Sequence, residues 1–444
     1  MKISNYNFFI KPDDDEEKII AYNAFTNSIA IMNSSNYKHY LDFKDNNIEI
    51  MDKDFIKELH KGGFLIDDNV NEIDTLRYLM FKDRFDRKSF NLTIAPTIDC
   101  NFRCIYCYEK DKLENSYMNK ETENNLIKLI KEKSSNIDSL NISWYGGEPL
   151  LAIDTISSLS ESMMSICKDN NIPYNASMVT NGYLLDRATC EKLNKYNVSS
   201  IQITLDGNEA THDKRRFLIG GKPTYKKIIE NLVACKDILP KIALRINVDN
   251  NNKELIKELV DDLRKNQLLD VVHPYLGHVR NDDNCYNDNL CLKNNDYAKL
   301  EYNFQNNILN QGINNNPLQF LPRRITSYCG ADSISSHIVD SKGDLYRCWN
   351  DIGNKQKIVG NINNSELNIN EALTDYILFD ATENVECRNC KFLPLCMGGC
   401  PIKGKEKNCS YVKYMINSYI KDIYKNLKNG YILGKEKVVT LMYR

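Results

Sequence analysis

The 444-residue chain predicts an α/β fold built on a parallel sheet, with a small module before the sheet and a cysteine-dense region after it. Three observations lead there. Strand-like and helix-like segments alternate between about 89 and 280; the stretch before them carries short β runs and no clustered cysteine; and seven cysteines crowd into 329–409 with Gly-Gly and Pro punctuation. Six βα units imply a parallel sheet, either curved into a partial barrel or doubly wound.

The elements follow in order. Tyr6–Ile10 and Ile19–Asn23 read as strands around the acidic turn Pro12-Asp13-Asp14-Asp15, and Ser28–Met32 adds a third. Phe55–Leu59 reads as a helix that Gly62-Gly63 ends before Phe64-Leu65-Ile66. Residues 1–88 are therefore expected to form a winged-helix-like module; an N-terminal strap on the main domain fits the same pattern. The next strands are Phe90–Ala95, Leu140–Tyr145, Ala176–Thr180, Ser200–Leu205, Ile242–Val248 and Val271–Leu276. Lys120–Lys133, Ile153–Lys168, Tyr225–Cys235 and Lys253–Lys265 read as helices between them. Residues 281–328, rich in Asn and Asp, form a bridging segment with one helix near Tyr297–Leu309. Residues 329–409 read as a loop-built domain held by metal rather than by a core. Within 410–444, Tyr411–Leu427 reads as an amphipathic helix followed by a tail.

Composition narrows the function. A formal net charge of −2 gives no global attraction to nucleic acid or to a membrane surface. No apolar run approaches the ~20 residues that cross a bilayer. The opening residues hold only the short apolar stretch Phe8-Phe9-Ile10 before an acidic run, so a cytoplasmic location is expected. In that compartment the 15 cysteines are poor disulfide candidates and better metal ligands.

Ten of them fall into two groups. Cys100, Cys104 and Cys107 follow the first sheet strand directly, where the chemistry of a parallel sheet belongs. Three cysteines at this spacing suit three corners of a cubane iron–sulfur cluster, leaving one iron open for a ligand. Zinc would want a fourth ligand nearby, and none follows Cys107 closely. The second group is Cys329-x13-Gly343-x4-Cys348, Cys387-x2-Cys390-x5-Cys396-x3-Cys400 and Cys409. Cys167, Cys190 and Cys235 sit in helical stretches and read as small buried hydrophobes.

The first group, with aromatic Tyr106 before its last cysteine, resembles the signature loop of radical S-adenosylmethionine (SAM) enzymes. That resemblance implies a partial (β/α)6 TIM-like barrel. Tyr145-Gly146-Gly147-Glu148-Pro149 resembles the family's Gly-Gly-Glu motif, which holds the methionine amino group: the glycines permit close approach and the carboxylate pairs with the ammonium. Thr180-Asn181-Gly182 ends the third strand. Thr204-Leu205-Asp206-Gly207, continuing to His212 and Arg215-Arg216, resembles a stretch of the peptide-acting branch. By that likeness Thr204 bonds the ribose and Arg216 clamps the methionine carboxylate, with Arg215 an equally placed rival. Tyr106, Gly146, Gly147, Glu148, Asn181, Thr204 and Arg216 are the expected SAM contacts. The resemblance implies reductive cleavage of SAM to a 5′-deoxyadenosyl radical that removes a hydrogen atom from carbon.

The second group resembles the seven-cysteine SPASM domain of peptide- and protein-modifying radical SAM enzymes. By that likeness Cys387, Cys390, Cys396 and Cys409 bind one auxiliary [4Fe–4S] cluster, and Cys329, Cys348 and Cys400 bind another, making three clusters in all. Some relatives place a further cysteine six residues before Cys329; here that residue is Arg323, so either Cys285 or Cys291 reaches in or the cluster keeps an open iron. A zinc ribbon would account only for Cys387-x2-Cys390.

Sulfatase maturases within this group place an Asp directly after the residue matching Cys348, where this chain has Trp349-Asn350 and only then Asp351. The segment 1–88 resembles the leader-recognition module of peptide maturases, whose edge strand pairs with a leader peptide. The expected function is therefore maturation of a ribosomally made precursor peptide (a RiPP maturase), with a cysteine thioether as the bond formed. Expected partners are a leader-bearing precursor and an electron donor such as flavodoxin or ferredoxin. The alternatives are formylglycine formation and a non-catalytic iron–sulfur electron-transfer protein.

Overall fold

Six parallel strands in strictly sequential order dominate the computed structural model, which describes residues 1–44, 53–281, 284–313, 321–364, 366–404 and 409–428. The predicted tail beyond Lys428 lies outside them. The chain divides into two units, one of residues 1–83, 294–328 and 379–444, the other of 84–293 and 329–378.

In the first unit β1 (Lys2–Ile3) precedes an antiparallel sheet of β2 (Asn7–Ile10), β3 (Lys18–Asn23) and β4 (Ser28–Asn33), in that spatial order. Helices α1 (Ser34–Lys44) and α2 (Lys53–Lys61) follow, then β5 (Leu65–Ile66), paired with β1, and α3 (Glu72–Arg84). Gly63 ends α2 at φ +76, and a Cβ there would lie 2.4 Å from Thr26 Cγ2, so glycine is required. Asn23 ties the module together: its Nδ2 donates to Ser4 Oγ, Asn7 Oδ1 and Gly63 O, while its Oδ1 accepts from Phe25 N and Thr26 N. The apolar core joins Phe8, Tyr22, Leu76 and Met80 to Leu393, Leu395 and the helix Val412–Lys428.

The second unit holds β6 (Ser89–Ile94), α4 (Lys120–Lys133), β7 (Ser139–Trp144), α5 (Ile153–Asp169), β8 (Tyr174–Thr180), α6 (Arg187–Lys195) and β9 (Val198–Thr204). It continues with α7 (Glu209–Arg215), α8 (Tyr225–Cys235), β10 (Lys241–Val248), α9 (Ile256–Lys265) and β11 (Val272–His278). Because the order β6 to β11 is never reversed, the sheet is wound one way as in a barrel, not doubly wound. Strand alternation explains its two faces. In β7, Leu140, Ile142 and Trp144 are buried, whereas Asn141 on the opposite face donates to Asn91 Oδ1 and accepts from Asn175 Nδ2. That face is polar and hydrogen-bonded rather than filled with branched aliphatics, which leaves room for a ligand. Helix α7 is not among the predicted helices, and α6 is expected only through the helical stretch around Cys190; Asp186 and Asn208 cap them, accepting from Thr189 N and Thr211 N.

After α10 (Asn294–Asn310) in the first unit, the chain returns to the second. There β12 (Ser336–Val339) pairs in parallel with β6, and β13 (Asp344–Tyr346), β14 (Gly360–Asn361) and β15 (Glu366–Leu367) extend the sheet antiparallel. Residues 329–378 are thus less loop-built than expected, because the free edge of β6 supplies their ladder partners. Among the described residues no helix is long and apolar enough to cross a membrane.

Burial on α10 has a testable consequence. Glu301 accepts from Tyr297 Oη at 3.1 Å and Gln305 Nε2 at 2.6 Å, and desolvation pushes its carboxyl up to about 7. The folded state therefore keeps a proton that the unfolded chain has lost, so stability falls as pH rises from the ordinary carboxyl range through about 7, by up to about 3 kcal/mol. Glu301→Gln should remove most of that slope and raise the thermal midpoint at pH 8, because a flipped Gln305 can offer its otherwise unpartnered Oε1 to the new amide. Thermal melts at pH 5.5 and pH 8 check it.

Candidate active site

The loop after β6 is shaped by its own short hydrogen bonds. Asp99 Oδ1 accepts from Cys100 N at 2.8 Å, Arg103 Nη1 donates to Cys100 O at 2.6 Å, and Cys107 N donates to Cys104 O at 3.2 Å. Beneath it runs the segment after β7. Gly147 N donates to Thr97 O at 3.3 Å and Glu148 N to Asp99 O at 2.8 Å. A Cβ on Gly146 would lie 2.3 Å from Thr97 O, and one on Gly147 2.1 Å from Asp99 O. The two glycines are what let the loop lie against this strand end.

One cavity of about 370 Å³ opens here, entirely within the second unit. Its wall includes Cys100, Cys104 and Cys107 and all seven residues expected to contact SAM: Tyr106, Gly146, Gly147, Glu148, Asn181, Thr204 and Arg216. Glu148 is almost wholly buried; its carboxylate accepts from Leu150 N at 3.0 Å, Thr180 Oγ1 at 2.6 Å and Asn181 N at 2.7 Å. Burial raises its pKa, and these donors work against the rise.

Adjacent arginines take different parts. Arg215, at the end of α7, donates through Nε to Asp206 Oδ2 at 3.0 Å and through Nη1 to Asp249 Oδ2 at 2.6 Å. Both acids are fully buried, so Arg215 is committed to the fold and is absent from the cavity wall. Arg216 donates through Nη1 to Tyr106 Oη at 2.9 Å, while its buried Nε has no partner. Tyr106 Oη in turn donates to Asp206 Oδ2 at 2.5 Å. His212 is buried and held neutral, first by desolvation and then by the two arginines. Its Nδ1 accepts from Asp206 N, so the proton sits on Nε2, which donates to Thr224 Oγ1; that hydroxyl donates to Arg216 O at 2.5 Å. His212 thus positions Arg216 from behind.

The donor set suits a metal cluster. Burial pushes the Cys107 thiol up to about 12 and raises Cys100 and Cys104 as well, so these thiolates need a cationic centre to form. Among the described residues no three His, Cys, Asp or Glu side chains converge on a point for one metal ion. Cysteines ligating separate irons of a cubane do not need to share an ion. The orphaned Arg216 Nε on the same wall offers a carboxylate a hydrogen bond.

The other cysteines are distributed as follows. Cys387, Cys390, Cys396 and Cys409 line a second cavity of about 120 Å³ in the first unit, beside Phe392, Leu393 and Val412. Cys329 and Cys348 belong to the second unit and Cys400 to the first. Cys285 stands on the wall of the large cavity, its Sγ 3.7 Å from Tyr106 O, whereas Cys291 Sγ is 3.6 Å from Asn287 O. Cys167, Cys190 and Cys235 are buried. Sequence reasoning missed Glu109, Gln202, Arg245, Asn247, His278 and Arg280 on the large wall. Gln202, Arg245 and Asn247 alternate near the ends of β9 and β10, a signal visible only once those strands are assigned.

Residues 94–263 match the Radical SAM superfamily model. The chain is 25% identical over 348 residues to the cysteine-type anaerobic sulfatase-maturating enzyme of Clostridium novyi (strain NT), covering 72% of this chain and 90% of that protein. It is 24% identical over 408 residues to the radical SAM cyclopropyl synthase TigE of Paramaledivibacter caminithermalis, covering 84% and 81%. Among solved structures it resembles native anSMEcpe with bound AdoMet and Cp18Cys peptide, at TM-score 0.59 and 19% identity, over 76% of this chain and 99% of that one. It also resembles Streptococcus suis SuiB bound to precursor peptide SuiA, at TM-score 0.55 and 18% identity, over 92% and 97%. With the parallel sheet, the cysteine loop and the motif match in agreement, the chain carries a radical SAM domain over residues 94–263 and is a radical SAM enzyme.

Proposed function

We propose that the chain matures a ribosomally made precursor peptide by joining a cysteine sulfur to a carbon of the core. What supports the SAM chemistry is the cavity on which three cysteines, a buried Gly-Gly-Glu carboxylate, Thr204 and an arginine with an unpartnered Nε meet. What favours a C–S bond is Arg323 in place of a further cysteine, which would leave an auxiliary iron open to a substrate thiolate. Cys100, Cys104 and Cys107 would hold one [4Fe–4S] cluster, with SAM beside it. When bound, the clusters and SAM supply one-electron chemistry, cleaving the sulfonium to begin the reaction and accepting an electron to end it.

The chain's own residues do the rest. Glu148 takes the methionine ammonium, Arg216 the carboxylate and Thr204 a ribose hydroxyl, while Gly146 and Gly147 keep the backbone out of the way. Asn181 and Tyr106 fix the positions of Glu148 and Arg216. Cys387, Cys390, Cys396 and Cys409 would hold one auxiliary cluster, and Cys329 and Cys348 would serve another. In the peptide, one C–H and one S–H bond are replaced by a C–S bond. Residues 1–88 would receive the leader, consistent with the SuiB likeness spanning 92% of the chain against 76% for anSMEcpe. A flavodoxin or ferredoxin would supply the electron.

Oxidation of a Cys or Ser to formylglycine is the second reading, favoured by the sulfatase-maturating relatives. Against it, Trp349 and Asn350 face the cavity after Cys348, while Asp351 Oδ2 accepts from Tyr376 Oη at 3.1 Å and is not on the wall. Co-expression with short reading frames beside the gene, followed by alkylation and mass spectrometry, separates the two. A thioether removes two hydrogens and one alkylatable thiol; a new hydrazide-reactive aldehyde would instead establish the formylglycine reading.

A further inference from the structure

The wall of the large cavity carries three guanidinium groups against two carboxyl side chains, Glu109 and Glu148. Arg216, Arg245 and Arg280 all stand on its wall, and among the described residues none of the three guanidinium groups forms an ion pair with a carboxylate. SAM brings one carboxylate, which Arg216 accounts for. Arg245 and Arg280 are left over, both half-buried, and a half-buried guanidinium without an anion is poorly solvated.

Arg245 is built into place. Its Nε donates to Asn247 Oδ1 at 2.7 Å, and Asn247 Nδ2 donates to Tyr106 Oη at 3.0 Å. On the neighbouring strand, a Cβ at Gly277 would lie 2.5 Å from Arg245 Nε and 2.8 Å from Cζ. The guanidinium therefore rests on a glycine that any other residue would displace. Nε is engaged in holding the group and the guanidinium also meets its cross-strand neighbour Tyr275, so the remaining terminal N–H groups are what it offers a ligand. Arg280 follows β11, the strand that carries Gly277. Arg245 lies opposite Tyr275 within the β10–β11 ladder and Arg280 lies beyond the end of β11, so the two guanidinium groups reach the one cavity from different points along these strands, and either can give a carboxylate a bidentate pair of hydrogen bonds.

Resting on the peptide-maturase reading, we infer that the substrate segment entering the cavity carries an aspartate or glutamate beside the reacting carbon, held by Arg245 and Arg280. The pair acts in selecting and registering the substrate. It would favour an acidic side chain over its amide, because the amide offers one acceptor oxygen where the carboxylate offers two.

The test is equilibrium binding of two synthetic peptides, acetyl-Cys-Gly-Gly-Asp-amide and its Asn isostere, to the anaerobically reconstituted, SAM-loaded enzyme. The Asp peptide should bind about tenfold more tightly at low salt. Arg280→Gln and the double variant Arg245→Gln/Arg280→Gln should shrink and then erase that preference. Arg280→Glu should turn it toward acetyl-Cys-Gly-Gly-Lys-amide, a gain that misfolding cannot mimic. Equal binding of Asp and Asn peptides, no binding of either, or an Asp preference that survives the double variant would overturn the inference. A precursor that gains an aldehyde instead of a C–S bond would strike the thioether reading and leave this binding difference standing.

Discussion

Gly147→Ala should lower SAM affinity by at least about a hundredfold. The added Cβ would stand 2.1 Å from Asp99 O, 2.6 Å from Asp99 C and 2.9 Å from Ile98 O, all backbone atoms that no rotamer change can move. The loop must lift away from the strand end, losing the hydrogen bond from Glu148 N to Asp99 O and displacing the chain that leads into Cys100. Overpacking of this kind against backbone costs about 3 kcal/mol, and each 1.4 kcal/mol is about a tenfold loss. Gly221→Ala is the control. Gly221 is in the left-handed region, at φ +81, but a Cβ there meets nothing within 4 Å, so only about 1 kcal/mol of conformational strain should follow. SAM titration of the reconstituted proteins, read by equilibrium dialysis, separates the two. Equal affinities would mean that the Gly-Gly segment does not set the position of the cysteine loop.

Arg215→Gln and Arg216→Gln should fail in opposite ways although the residues are neighbours. Removing Arg215 leaves Asp206 and Asp249 buried without their cation; the remaining donors, Tyr106 Oη and Asn247 N for one and Tyr286 Oη and Asn251 N for the other, are neutral. Breaking one side of a buried ion network costs about 3–5 kcal/mol, so the thermal midpoint should drop by roughly 10 °C. Removing Arg216 leaves no buried carboxylate stranded among the described residues, and its fold should survive. Its SAM affinity should instead fall by about tenfold to a hundredfold with the loss of a charge-assisted carboxylate clamp. Melting curves and SAM titrations on both variants would show the crossover. Destabilisation of Arg216→Gln with normal SAM affinity would reassign the clamp.

Much of this was readable in the linear chain, and the exceptions have physical causes. The six barrel strands and α4, α5 and α8 announce themselves through apolar runs and period-3.6 faces with clear ends. Helix α6 is legible only around Cys190 and without its ends, because only Cys190 and Leu193 of its nine residues are buried, too few to make a stripe. Strand β12 escapes because it is four residues long and its partner β6 lies more than two hundred residues earlier, a pairing no local pattern encodes. The cysteine spacings and the Gly-Gly-Glu motif brought one end of the cavity into view, since each motif is local. Its other end, Gln202 on β9, Arg245 on β10 and Arg280 after β11, is assembled from single residues far apart in sequence. Arg215 and Arg216 could not be told apart by spacing. The helix end decides them: Arg215 is the last residue of α7, and Arg216 leaves it at φ −135 and ψ 68 toward the cavity.

The central claim is that Cys100, Cys104 and Cys107 hold a cluster whose open iron binds SAM. Electron paramagnetic resonance of the dithionite-reduced holoenzyme, recorded with and without SAM, tests it most directly. The account predicts that SAM shifts the signal of one cluster, and that the triple variant Cys100→Ala/Cys104→Ala/Cys107→Ala loses that responsive signal together with about four irons per chain. A SAM-responsive spectrum that survives in the triple variant, or protein that takes up zinc and no inorganic sulfide, would contradict it.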